Sequence, residues 1–126
     1  MVHRELSPSS SKKALPKAGL SHFWAWAIGR LSRHRIAGRS MMPTLHEDWV
    51  VLVDPRAYDT ARIELGDVVL ARFVGQSTHP CVKRVTAIDG EKVTLRGDNP
   101  QESTDSTTLG SVESTDVLGK VVCTFP

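Results

Sequence analysis

Cysteine is scarce in this chain, which contains Cys81 and Cys123 among its 126 residues and no others. Two cysteines cannot build a disulfide framework, and no Cys-x-x-Cys pair or matching histidine cluster has the spacing of a zinc site. The five histidines likewise lack the spacing of metal ligands. We therefore expect two free thiols in a reducing compartment, no metal ion and no cofactor.

Long hydrophobic runs are also missing. The most apolar early stretch, residues 18–28, contains His22 and is followed by Arg30, whereas a bilayer span needs about 20 apolar residues. A signal peptide would carry its cations before the apolar run and a small-residue cleavage site after it. Here cations flank the run on both sides. These features favour a cytoplasmic protein, with at most a peripheral position at a membrane.

Acidic side chains are almost absent from the first third of the chain. Residues 1–39 hold eight Lys or Arg and one acid, Glu5, which gives a net charge of +7. Residues 40–126 hold eight Lys or Arg and thirteen acids, which gives −5. A basic leader of this kind is typical of contact with nucleic acid or a membrane surface, or of a mobile solubilising arm.

The leader itself has two parts. Residues 1–17, rich in Ser, Pro and Lys, predict a disordered basic tail. Residues 18–36 predict a short amphipathic helix that either packs on the rest of the protein or lies on an anionic membrane. The apolar positions with helical spacing are Leu20, Phe23, Trp24, Ala27, Ile28 and Leu31.

Residues 37–126 predict one mostly-β domain, because a chain of this length fits a single folding unit. β-branched and aromatic residues dominate five runs, at residues 49–53, 67–74, 81–88, 92–95 and 117–125. Asp89-Gly90 is a strong hairpin signal, so residues 81–88 and 91–96 should pair antiparallel. We expect five to seven short strands in this domain.

Candidate chemistry begins with a serine and a lysine. Ser40 stands in a loop between a glycine two residues before it and a proline three residues after it, which either fixes a hydroxyl or forms an ordinary turn. Strand alternation places Lys83 on one face with Cys81 and Val85. Apolar surroundings disfavour the ammonium form, so Lys83 could serve as a base. The alternative is a lysine on an edge strand that points into solvent.

Residues 97–106 form a third segment, Gly-Asp-Asn-Pro-Gln-Glu-Ser-Thr-Asp-Ser, which alone would be an ordinary polar loop. Together with the first two, it resembles the signal peptidase I family of Ser-Lys proteases. Four motif segments carry the resemblance, which covers residues 36 to about 125. They are the nucleophile segment (Ser-Met-Met-Pro-Thr-Leu, 40–45), the Gly-Asp segment (66–69), the lysine segment (Lys-Arg-Val, 83–85) and the loop segment (97–106).

The resemblance implies a β-fold of the signal peptidase and LexA type, and it implies residue roles. Ser40 would be the nucleophile and Lys83 the general base, with Ser103 aiming the lysine amine. Among the supporting residues, Asp105 and Ser106 would brace the loop, Asp105 would pair with Arg84, and Met41 would form an apolar wall beneath the site.

Two positions depart from the family pattern. Some members carry a hydroxyl residue two positions before the nucleophile, where this chain has Gly38, so the oxyanion would rely on backbone donors such as the Ser40 N–H. A missing side-chain donor costs on the order of a hundredfold in rate when nothing replaces it. Thr107 stands where the loop segment usually ends in Arg.

A tight hairpin replaces the second β-domain that larger members insert after the lysine, and no membrane span is apparent. These features resemble the short nickel-type superoxide dismutase maturation proteases, which implies a protein substrate, the propeptide of that dismutase. An alternative is a peripheral signal peptidase that cleaves secretory signal peptides and is held at the membrane by residues 18–37.

Two further alternatives are a self-cleaving regulator and a non-catalytic peptide-binding protein. A LexA-like self-cleaving regulator would need a DNA-binding region of about 60 residues before the serine, where 39 are present, and a scissile Ala-Gly farther from Ser40 than Ala37-Gly38. We therefore expect no nucleic-acid partner. A non-catalytic peptide-binding relic would not be expected to keep Ser40, Lys83 and Ser103 together.

Overall fold

Antiparallel pairing dominates the structure, a computed structural model that describes residues 3–5, 14–73, 79–99 and 111–125. Eight strands and two short α-helices occur in these residues, with a 3₁₀ turn at Ser114–Asp116. In chain order the elements are β1 (His3–Glu5), α1 (Leu20–Ala27), β2 (Ser32–Arg35), β3 (Val50–Asp54), α2 (Ala57–Thr60), β4 (Val68–Ala71), β5 (Cys81–Asp89), β6 (Lys92–Arg96), β7 (Ser111–Glu113) and β8 (Val117–Phe125).

The strands form one sheet in the order β2-β3-β8-β4-β5-β6-β7, and β1 pairs with β5. The mostly-β fold class is therefore confirmed, and each of the five predicted runs contains a strand. The hairpin is confirmed too, because Asp89 lies opposite Lys92 and leaves a two-residue turn. Gly90 opens that turn with a φ of 61°, a backbone conformation that glycine adopts without steric cost.

The N-terminal part differs from the prediction. Helix α1 ends at Ala27, and Ser32–Arg35, expected within the helix, forms a strand that pairs with β3. Pairing with a neighbouring strand overrides local helical spacing here, because it satisfies the backbone hydrogen bonds of this stretch. His3–Glu5, in the expected disordered tail, pairs with β5. Neither α-helix in the described part of the chain has the length and apolar content needed to cross a bilayer.

Two apolar clusters cover the two faces of the sheet, and strand β4 contributes to both. All four residues of β4 are buried. Val68 and Leu70 pack with Met41 and neighbouring side chains in one cluster, whereas Val69 and Ala71 pack with others in the second. A strand covered on both faces reads as a continuous apolar run. The central position of β4 thus fixes the neighbouring strand β5, which carries Lys83.

Candidate active site

A cleft of about 320 Å³ lies where the loop after β2 meets the start of β5. Ser40 and Lys83 both line this space, called the Ser40 cleft below, although they are far apart in the sequence. Its walls are formed by His34, Arg35, Ile36, Ala37, Gly38, Arg39, Ser40, Met41, Leu70, Pro80, Cys81, Val82 and Lys83. The cleft therefore brings a hydroxyl and an amine to one surface.

A larger cavity of about 890 Å³ lies between α2 and the β5–β6 turn. Its lining includes Tyr58 and Glu91 but neither Ser40 nor Lys83. The Tyr58 hydroxyl donates to Asp67 Oδ2 at 2.7 Å, and burial together with this hydrogen bond raises the pKa of Tyr58. Size alone does not identify a reactive site, so we take the smaller cleft, with its serine and lysine, as the candidate active site.

The loop that carries Ser40 is held by its own backbone and by the core. The Met42 N–H donates to the Arg39 carbonyl oxygen at 3.1 Å, and the Leu45 N–H donates to that of Met41 at 2.9 Å. Met41 and Leu45 are 1% and 0% exposed, so their side chains anchor the loop by packing in the hydrophobic core. Met41 also borders the Ser40 cleft, and its role as an apolar wall stays a prediction.

Gly38 has a backbone conformation that explains its identity. Its φ is +80°, in the left-handed region that other residues enter only at a cost. A Cβ built at this position meets no atom within 4 Å. Glycine is thus favoured here by backbone geometry and not by lack of space, which gives a physical reason for the departure from a hydroxyl residue.

Lys83 is buried in β5. Lys83 is 4% exposed and lies opposite Val69 of β4. Val85, two positions along the same strand, is fully buried. The alternative of a lysine that points into solvent is therefore wrong.

Arg84 is also buried, and its partner was not predicted. Its Nε lies 2.8 Å from Asp98 Oδ1 and its Nη2 lies 2.9 Å from Asp98 Oδ2, with both side chains 2% exposed. Its Nη1 donates to the Gly66 carbonyl oxygen at 2.7 Å. Two parallel hydrogen bonds from one guanidinium to one carboxylate give strong and directional pairing.

Asp98 and Asn99 connect this pair to the nucleophile segment. Thr44 Oγ1 donates to Asp98 Oδ2 at 2.6 Å, and the Asn99 N–H donates to the Ser40 carbonyl oxygen at 2.8 Å. The Asn99 amide also donates to the Arg39 carbonyl oxygen at 3.1 Å. The Arg84–Asp98 pair therefore links all four motif segments.

Sequence reasoning missed Thr44, Asp98 and Asn99 as site residues, although all three stand inside the motif segments. The available signal was their presence in those segments as polar residues next to the proposed catalytic groups. Ser103, Asp105 and Ser106, which were predicted to support the site, lie outside the described residues, so the expected pairing of Asp105 with Arg84 stays a prediction.

Comparisons with known proteins identify the family of this chain. Residues 20–99 match the family described as signal peptidase, peptidase S26. The chain is 28% identical over 115 residues to the mitochondrial ATP-independent inner membrane protease subunit 1a of Arabidopsis thaliana, with 73% of this chain and 68% of that protein covered. No solved structure matches at a significant level. The chain therefore belongs to the signal peptidase S26 family of serine endopeptidases, which act on protein substrates.

Proposed function

We propose that this protein cleaves peptide bonds with a Ser40–Lys83 dyad. The observation that carries the proposal is that Ser40 and the buried Lys83 line one cleft. The Ser40 hydroxyl attacks the carbonyl carbon of the substrate while Lys83 Nζ accepts its proton. Lys83 then returns the proton to the leaving amine, which leaves an acyl-enzyme. A water that Lys83 deprotonates hydrolyses the ester and frees Ser40.

The remaining predicted residues support this chemistry in the proposal. The Ser40 N–H and the open backbone at Gly38 stabilise the oxyanion. Ser103 orients the Lys83 amine, and Asp105 and Ser106 brace the loop segment. Arg84 holds the lysine segment against that loop through Asp98.

The proposed substrate is the precursor of a nickel-containing superoxide dismutase, from which the enzyme removes an N-terminal propeptide. Support comes from the resemblance to the short maturation proteases. It also comes from the two-residue β5–β6 turn, which leaves no inserted domain between Lys83 and the loop segment. A long N-terminal segment of a folded precursor is an extended peptide of the kind that an open cleft beside strand ends accommodates.

Co-expression with a nickel dismutase precursor tests both parts of the proposal. We expect mass spectrometry to show loss of the propeptide with the native chain but not with Ser40→Ala or Lys83→Ala. Lys92→Ala, which changes a lysine whose side chain is 68% exposed, is the matched control and should retain cleavage. Cleavage that survives both active-site changes contradicts the dyad, while an active protease that leaves this precursor intact contradicts the substrate.

A second candidate is a peripheral signal peptidase that cleaves precursors at a membrane. It is favoured by α1, which has no buried residue and exposes Leu20 (75%) and Trp24 (59%), and by Ile28 directly after the helix, which is 67% exposed. Large apolar side chains next to several arginines suit an anionic membrane surface. The Arabidopsis relative is named as a membrane protease.

Vesicle sedimentation of the full chain distinguishes the two candidates. The second candidate requires binding to phosphatidylglycerol vesicles that Trp24→Ser weakens, together with faster cleavage of vesicle-bound signal-peptide precursors than of the dismutase precursor. Equal vesicle binding by the native chain and Trp24→Ser, with cleavage confined to the dismutase precursor, would support the first candidate, the dismutase maturation protease.

A further inference from the structure

The Ser40 cleft has an unusual distribution of charge. Arg35 and Arg39 line it, and no Asp or Glu among residues 3–5, 14–73, 79–99 and 111–125 does so. The surrounding body, residues 40–126, carries a net charge of −5. A cationic opening on an acidic body concentrates positive potential at one place, and such focusing attracts ligands of opposite charge.

The two arginines stand on fixed backbone. Arg35 lies opposite Val50 in the β2–β3 ladder. The Arg39 carbonyl oxygen accepts hydrogen bonds from the Met42 N–H and the Asn99 amide, one residue before Ser40. The two arginine side chains are thus anchored at their stems and project from defined points beside the nucleophile.

Both arginines are also available to a ligand. Each is exposed, and neither forms an ion pair with an acid in the described ranges. The buried acid Asp98 is already bound to Arg84 and Thr44. Guanidinium groups bind carboxylates through two parallel hydrogen bonds, which gives geometric selectivity as well as attraction.

His34 contributes little charge to the cleft. Burial lowers the pKa of His34, so its ring is neutral at pH 7, and its Nε2 lies 3.4 Å from Ser32 Oγ. Ile36, Leu70 and Val82 supply an apolar floor. The cleft therefore combines an apolar base with two exposed arginines at its opening.

We infer that this protease selects peptide substrates that carry Asp or Glu within a few residues of the cleaved bond, with Arg35 and Arg39 binding those carboxylates. The inference rests on the proposed peptidase function and adds the substrate class. Because the arginines are exposed, each contact changes the specificity constant by up to about fivefold, mainly through KM. The preference weakens as salt screens the charges.

Cleavage-site profiling tests the inference with the full chain and a proteome-derived peptide library, with Ser40→Ala as the blank. We expect Asp and Glu to be enriched around cleaved bonds. A cleaved peptide is then compared with its Asp→Asn or Glu→Gln counterpart. The acidic form should be cleaved more efficiently than this counterpart, and its advantage should be larger at about 0.05 M salt than at about 0.5 M. Cleavage without acidic enrichment overturns the inference and leaves the peptidase function intact. Absence of any Ser40-dependent cleavage overturns the function, and the inference with it.

Variants identify the responsible side chains. Arg35→Ala and Arg39→Ala should each reduce the acidic-to-neutral ratio of kcat/KM, and a double Arg35→Glu, Arg39→Glu change should favour peptides with Lys. Arg33→Ala is the matched control, since Arg33 is exposed on the same strand but does not line the cleft. Unchanged ratios in all variants overturn the inference. So does loss of phosphatidylglycerol-vesicle binding with unchanged ratios, which would assign the arginines to lipid headgroups.

Discussion

Asp98 is the side chain on which the motif segments converge, since it binds Arg84 with both oxygens and accepts a hydrogen bond from Thr44. A buried ion pair of this kind contributes little net stability over an apolar pair. Loss of one partner is costly, however, because the other charge then stays buried with neither a counter-ion nor solvent. Its role is therefore to hold β5, which carries Lys83, against the loop that carries Ser40.

Asp98→Asn should lower the free energy of unfolding by about 3–5 kcal/mol, because the Arg84 charge stays buried without its counter-ion. Urea denaturation measures this. The control is Glu113→Gln, which breaks an ion pair of 3.8 Å between side chains 68% and 54% exposed and should cost less than about 1 kcal/mol. Equal losses in the two variants would contradict a special role for the buried pair.

Gly38 offers a second test at the residue scale, since Gly29 has the same φ of +80° and equally open surroundings. Alanine at either position should cost about 1 kcal/mol of stability through backbone strain. Gly38→Ala should in addition reduce kcat, because it changes the loop two residues before Ser40, whereas Gly29→Ala should not. Equal kcat values in calibrated peptidase assays would show that Gly38 has no part in catalysis.

At the scale of elements, β8 is the strand that joins the two halves of the sheet, pairing with β3 on one side and β4 on the other. Gly119 lies where β8 passes the end of β3. A Cβ at this position would lie 2.6 Å from Val53 Cγ1 and 2.7 Å from the Asp54 carbonyl oxygen, so the chain can pass only without a side chain.

Gly119→Ala should therefore destabilise the protein by about 1–3 kcal/mol, because β8 must move away from β3. Thermal unfolding followed by circular dichroism measures the loss. Gly19→Ala is the control, since a Cβ there meets its nearest atom, His22 Nδ1, at an ordinary 3.8 Å. A melting temperature unchanged in Gly119→Ala would contradict the close approach.

Elements also show where prediction from sequence stopped. The runs that became β3, β4, β5, β6 and β8 were predictable because β-branched residues and turn signals are local. Strand β2 was not, because Ser32–Arg35 has no strand composition and acquires its conformation by pairing with β3. Helix α1 is shorter than expected for the same reason, since the chain leaves the helix to reach that edge.

At the scale of the whole molecule, the accessibility of the two cysteine thiols can be used to follow unfolding. Cys123 is 0% exposed, and burial raises the pKa of its thiol, which keeps the reactive thiolate scarce. Cys81 is half-buried on the wall of the Ser40 cleft. The two cysteines therefore differ in access, although both are free.

Ellman's reagent should modify one thiol in the folded protein and the second only on unfolding. The absorbance of the released thiolate is recorded over time at successive urea concentrations. The first thiol should react fast, and the slow reaction of the second thiol should parallel the unfolding transition. Cys81→Ser should abolish the fast reaction and leave the slow one. Rapid modification of two thiols in the native state would contradict the burial of Cys123.

The sequence by itself determined the strand-rich body, the β5–β6 hairpin and the family, because these depend on local composition and on short motif segments. The catalytic candidates Ser40 and Lys83 could be named for the same reason. Only the tertiary structure decided that Arg84 binds Asp98, that Gly38 adopts a left-handed backbone conformation, and that Arg35 and Arg39 line the cleft beside Ser40. Those features arise from hydrogen bonds and packing between segments distant in the chain, which no local pattern records.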